Sequence, residues 1–224
     1  MTLFKKPLQL VALAAGLYAF SAQPAGALTI SLSTGNPGIS GFPGPYGTVG
    51  VTQTDSTHAT ILFTALDSPN TLFSYLFGAQ GAAGVNVNAG SFSVSSASCT
   101  ATFSSCSLNN LPGASGNEDG FGNFNLSLDL FDGYTNSATA ISFVLTNLSG
   151  TWAGDANVLA ANTSGNLAAT HIFVANGATP NAAVPALSTG FAASDGASVP
   201  DGGMTISLLG LALASMGLVA RRKN

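Results

Sequence analysis

Between Pro7 and Ala220 the chain carries not one lysine or arginine, and no other feature constrains it as much. The five basic residues are Lys5 and Lys6 at the front and Arg221, Arg222 and Lys223 at the end, while all nine acids lie between those clusters. Soluble domains ordinarily spread both signs over their surface, at about a quarter of their composition; here charged residues make up 6%. Basic clusters beside apolar runs are what membrane insertion reads, because positive flanks stay on the cytoplasmic side. The charges divide the chain into two addressing segments and a middle without cations.

The front segment reads as a secretory signal peptide over residues 1–27. Lys5 and Lys6 precede an apolar stretch from Leu8 to Phe20, and Ala25-Gly26-Ala27 supplies a small-x-small cleavage site. This order matches the three regions of such a leader, and the apolar core is short for a stable span. Export machinery and signal peptidase are the expected partners, with the mature chain starting at Leu28.

At the other end, residues 204–220 are apolar and free of charge, and the basic tail Arg221, Arg222 and Lys223 follows at once. As a helix this run would be about 25 Å long, close to the roughly 30 Å of a bilayer's hydrocarbon core, with the flanks making up the difference. The basic tail holds the topology, its end cytoplasmic and the main domain outside. Just before it stands Val199-Pro200-Asp201-Gly202-Gly203. Proline lacks an amide hydrogen and glycine is entropically costly in a helix, so this segment stays extended and reachable.

This three-part order over residues 199–224 resembles a PEP-CTERM sorting signal: the short motif, then a helix rich in Gly, Leu and Ala, then the basic cluster. The motif is similar to the Val-Pro-Asp-Ser-Gly variety, with Gly202 in the place of serine. What the resemblance implies is recognition by an exosortase, an integral-membrane cysteine protease and transpeptidase that removes the tail. It also implies transient membrane anchoring, then the bacterial cell surface or an extracellular matrix of exopolysaccharide and biofilm.

Residues 28–178 alternate as half-buried strands do. Phe124, Leu126, Leu128 and Leu130 share one face while Asn123, Asn125, Ser127 and Asp129 share the other. Ile141, Phe143 and Leu145 repeat the pattern, as do Ile61, Phe63 and Ala65, then Phe92 with Val94, and Ile172 with Val174. Turn clusters such as Asn117-Glu118-Asp119-Gly120 and Asp132-Gly133 separate the runs. The expected fold is all-β, a single β-sandwich-like extracytoplasmic domain with a C-terminal transmembrane helix. Residues 35–50 are expected to loop, and residues 179–198 to form a linker lifting the domain off the membrane.

Cys99 and Cys106 are the only cysteines, and a close pair in an oxidising compartment is expected to form a disulfide. No enzyme is expected. His58 and His171 lie in strand-like contexts without a nucleophile motif, and Glu118 is the only glutamate, where a glycosidase needs two carboxylates across a cleft. Without lysine or arginine the middle lacks the usual phosphate ligands, which disfavours nucleic acid. No cofactor is expected, though Glu118, Asp119, Asp129 and Asp132 are close in sequence and oxygen-rich turns suit calcium; solvated turn acids are the commoner explanation.

Two function classes remain. One is a structural or adhesive matrix component, whose acidic, lysine-free surface stays hydrated and self-repelling. The other is a carbohydrate-binding module, with Trp152, Tyr46, Tyr75 and Tyr134 as candidate sugar-gripping aromatics. Aromatics lined up on an exposed face would favour the second, and their burial the first.

Overall fold

The computed structural model describes residues 27–194. The expected signal peptide, the motif Val199 to Gly203, the apolar run 204–220 and the basic tail Arg221, Arg222 and Lys223 lie outside the described residues, apart from Ala27. Among the described residues no helix is long and apolar enough to cross a membrane.

Among the described residues, eleven antiparallel strands make one all-β sheet: β1 (Leu28–Gly35), β2 (Gly47–Gln53), β3 (His58–Ala65), β4 (Phe73–Phe77), β5 (Ala83–Val85), β6 (Phe92–Ala101), β7 (Ala114–Glu118), β8 (Gly122–Leu128), β9 (Ala138–Asn147), β10 (Ala168–Asn176) and β11 (Ser188–Ser194). Hydrogen bonding runs β6-β9-β3-β2-β1-β11 through one wing. β11 then pairs with β10, whose other edge takes both β4 and β5, and β8 and β7 follow β5. A pairing of Phe77 with Ala138 ties β4 back to β9.

The alternation decides which face is inside. Ile61, Phe63, Ile141, Phe143 and Leu145 from the first wing share one apolar cluster with Val85, Leu126, Leu128, Ile172 and Val174 from the second. Two wings turned onto a common core make the arrangement sandwich-like. Truncating a ring such as the fully buried Phe143 to alanine would cost about 3–5 kcal/mol.

The Cys99–Cys106 disulfide is present, with Cα atoms 6.2 Å apart. It ties the end of β6 to the loop beyond it, and among the described residues β6 pairs only with β9. The loop expected over 35–50 runs from Asn36 to Tyr46, its last residues having joined β2.

The linker expected over 179–198 is corrected in its second half. Residues 179–187 are irregular, but Ser188–Ser194 is a strand bonded on both edges, to β1 and to β10. Its small residues Gly190, Ala192, Ala193 and Ser194 are buried, so it packs by backbone pairing and close approach rather than by large side chains. The domain therefore extends to at least Ser194, beyond the boundary expected at 178.

Candidate functional site

Strand β10 turns Ile172 and Val174 to the core, so His171 and Phe173 stand on the opposite face. Strand β11 pairs in a register that sets Phe191 directly across from His171, the spacing at which cross-strand side chains meet. The rings of His171 and Phe191 have centroids 4.9 Å apart, and His171 to Phe173 is 5.1 Å. The row continues to Tyr134 at 5.9 Å, in a 3-10 turn before β9, and to Phe103 a further 5.1 Å on. All five residues are half-buried. Successive rings meet edge to face, at interplanar angles of 63–89°. In such a herringbone, alternate rings rather than every ring can turn a face outward.

Backbone without side chains makes room for this row. A Cβ on Gly78 would stand 2.5 Å from the Phe173 ring. Gly78 also fixes the imidazole, because its carbonyl lies 2.8 Å from His171 Nδ1. A carbonyl can only accept, so Nδ1 carries the hydrogen. Nε2 lies 2.8 Å from Thr189 Oγ1, whose one hydrogen also has the Ile172 carbonyl within reach at 3.1 Å. Burial lowers the pKa of His171, with the Gly78 hydrogen bond and nearby Asp132 opposing it. The row is therefore uncharged at neutral pH.

At Phe191 the row meets an open cleft of about 290 Å³, with Gln80, Asn110, Asn117, Glu118 and Asp129 on its walls. Asn110 ties two of these walls, its Oδ1 accepting the Asp129 amide at 2.8 Å and its Nδ2 donating to the Ser127 carbonyl at 3.1 Å. Asp129 Oδ1 accepts the Gly81 amide at 2.8 Å. Glu118, the last residue of β7, is only 1% exposed. Ser127 Oγ donates to its Oε1 at 2.8 Å, while Oε2 is buried with no hydrogen-bond partner. Burial pushes this carboxyl up to about 7; the Ser127 bond opposes the shift and Asp129 adds to it. Gly81, at φ +72°, lies against both features, since a Cβ there would stand 1.9 Å from Glu118 Oε2 and 2.9 Å from the Phe191 ring.

The four turn acids are not brought together. Glu118 is buried rather than solvated, and Asp129 lies across the cleft wall. Asp119 is exposed with its carboxylate 3.5 Å from Asn36 Nδ2, and Asp132 is exposed beyond β8. Among the described residues no three His, Cys, Asp or Glu side chains gather as metal ligands do. His58 is bound up in its own turn, with Nδ1 2.9 Å from Asp55 and 3.1 Å from Thr57 Oγ1. Hydrogen bonds from the Thr57 amide, His58 and Thr57 Oγ1 hold Asp55 well below the usual carboxylate range.

Of the four candidate aromatics, three are core. Tyr46, Tyr75 and Trp152 are buried, and each has a partner for its polar tip. Tyr46 donates to the Phe42 carbonyl at 2.9 Å, Tyr75 to that of Pro43, and Trp152 Nε1 to that of Asn88 at 2.8 Å. Tyr134 alone joins the surface row. Sequence reasoning misses Phe103, His171, Phe173 and Phe191 as a group, although β10's period-two spacing puts His171 and Phe173 on one face.

No protein-family model, curated protein or solved structure matches this chain.

Proposed function

We propose that this chain is a secreted, exosortase-sorted structural protein of the bacterial cell surface or extracellular matrix, whose domain holds exopolysaccharide along the aromatic row. The row ending in the cleft is the observation that carries the binding reading. Binding sites join apolar and aromatic walls to a few placed polar groups, and sugars offer apolar ring faces rimmed by hydroxyls. The burial of Tyr46, Tyr75 and Trp152 supports the structural half, since these rings serve the core.

The reading is of a binding protein and not an enzyme, exported through the signal peptide and reaching its place through the tail. The apolar run before Arg221 is read as a transmembrane helix that anchors the chain until an exosortase acts at Val199 to Gly203. The lack of lysine and arginine in the domain supports exclusion of nucleic acid as a partner.

A glycan array probed with the mature protein tests the binding half. Binding that Phe173→Ala and Tyr134→Ala abolish is expected; an array with no positive spot would end that half of the reading. The sorting half is tested separately by intact mass of surface-extracted protein in a host with an exosortase. A mature form lacking the apolar run and basic tail is expected, and one still ending at Asn224 would reduce the tail to a plain anchor.

A further inference from the structure

We propose that the glycan taken by this face is neutral, carrying hydroxyls but no carboxylate, sulfate or phosphate, and that one of its sugars enters the cleft beside Glu118. The inference rests on the glycan-binding reading and adds the ligand's chemical class and its place.

Three observations carry it. No lysine or arginine on the domain can neutralise an anion, because none occurs between Pro7 and Ala220, and the imidazole of His58 is already paired with Asp55. The one basic ring on the face, His171, has Gly78 and Thr189 against its two nitrogens. The second observation is the sign of what remains. Glu118 and Asp129 line the cleft, and Asp132 stands two residues from Tyr134. A sugar seated in the cleft lies within a Debye length of Glu118 and Asp129, about 8 Å at physiological salt, so an anionic sugar would be repelled rather than screened.

The third observation is the orphan oxygen. Glu118 Oε2 is buried without a partner in the cleft wall, against Gly81. A buried polar atom in that state calls for one, and a hydroxyl in the cleft meets it where the wall at Gly81 gives way. A hydroxyl serves in either protonation state, donating to the carboxylate or accepting from the acid. A deprotonated acid group on a sugar can only accept, and could not serve the charged form. Exposed Gln80 at the rim offers an amide with both roles to neighbouring hydroxyls.

The experiment is affinity electrophoresis of the mature protein recovered from cells, at neutral pH and low ionic strength. Gels carry hydroxyethylcellulose or galactomannan as neutral polymers, and alginate or polygalacturonate as polyuronates, each with EDTA and with added calcium. Retardation by a neutral polymer, indifferent to EDTA and at least tenfold weaker in Phe173→Ala, is expected, with no retardation by the polyuronates. Thermal melting checks that the variant is folded, and Tyr134→Ala provides a second, independent change in the row. Polyuronate binding in EDTA would overturn the inference while leaving the glycan-binding reading standing. Polyuronate binding only with calcium would also overturn it, in favour of a cation bridging at Glu118 and Asp129. Neutral binding unchanged in both variants would place the ligand elsewhere and overturn it as well. No retardation by any polymer would defeat both the inference and the reading beneath it.

Discussion

Asn36 brackets Phe191 from both sides of its peptide: the Asn36 amide donates to the Phe191 carbonyl at 2.9 Å, and Asn36 Oδ1 accepts the Phe191 amide at 3.0 Å. The same oxygen accepts from Gly38 at 3.2 Å, and Asn36 Nδ2 donates to the Asp119 carbonyl at 3.3 Å. One largely buried amide thus joins the loop after β1, the strand that carries the end of the aromatic row, and the β7–β8 hairpin. Asn36→Ala is expected to destabilise the domain by about 1–3 kcal/mol, because the Phe191 amide loses its partner. Urea unfolding measures it. Gly190→Ala should hurt from the other side, since its Cβ would come within 2.3 Å of Asn36 Oδ1.

Glu118 predicts a pH dependence with a definite sign. Its carboxyl is raised from 4.5 to about 7 in the fold, so the folded chain holds a proton that the unfolded chain has released. Stability should therefore fall as pH rises from about 4.5 to 7, and stay low above that range, by a total on the order of 3 kcal/mol. His171 works against this. Its lowered pKa contributes stability above about 6.5 that is lost as pH falls. Comparison with Glu118→Gln isolates the carboxyl: the variant should be the more stable protein at pH 8 and lose that advantage by pH 5. Parallel stability curves for the two proteins would show that Glu118 does not titrate in this range.

The disulfide should matter to stability in proportion to the short loop that it closes. Its residues are seven apart, for which loop-closure entropy gives about 2–3 kcal/mol. Cys99→Ala with Cys106→Ala is expected to lower the urea midpoint accordingly. Mass spectrometry of non-reduced protein should find no free thiol.

Trypsin should find no site between Leu28 and Ala220 even after denaturation, because neither lysine nor arginine occurs there. A shorter tryptic core on a gel would mean that the mature boundaries differ from those assigned.

Strands with large alternating side chains are legible from the sequence. Leu126 and Leu128 lie buried along β8 as their spacing predicts, and Ile141, Phe143 and Leu145 do so along β9. Phe124, expected on the same face, is buried instead in a separate cluster with Phe121, Ala169 and Ala193, across a shift in the β7–β8 register. β11 is not legible, because Gly190, Ala192 and Ala193 carry almost no hydrophobic signal and one of its two partners, β1, is distant in sequence. Glu118 looks like a turn acid for a related reason. Its neighbours in sequence are polar, and what buries it is the backbone at Gly81 and Gly84, brought in by β5. The row is half legible: alternation pairs His171 with Phe173, but Phe191 falls in the stretch expected to be a linker and Phe103 in no pattern at all.

Phe191 sits three residues before Ser194, whose hydroxyl accepts the Leu167 amide at 2.9 Å as β11 ends. Were a polymer gripped at Phe191 to be tugged while the chain beyond Ser194 was fixed, that force would pass from Phe191 to Ser194 within a single strand. That strand is hydrogen-bonded on both edges, so tension along it would shear two ladders together instead of peeling one. The core wings β2-β3-β9 and β5-β8-β7 would lie off the load path. For the share of load taken at Phe191, a domain wired in this way can serve as a mechanical coupling in which β1 and β10 bear the pull beside β11.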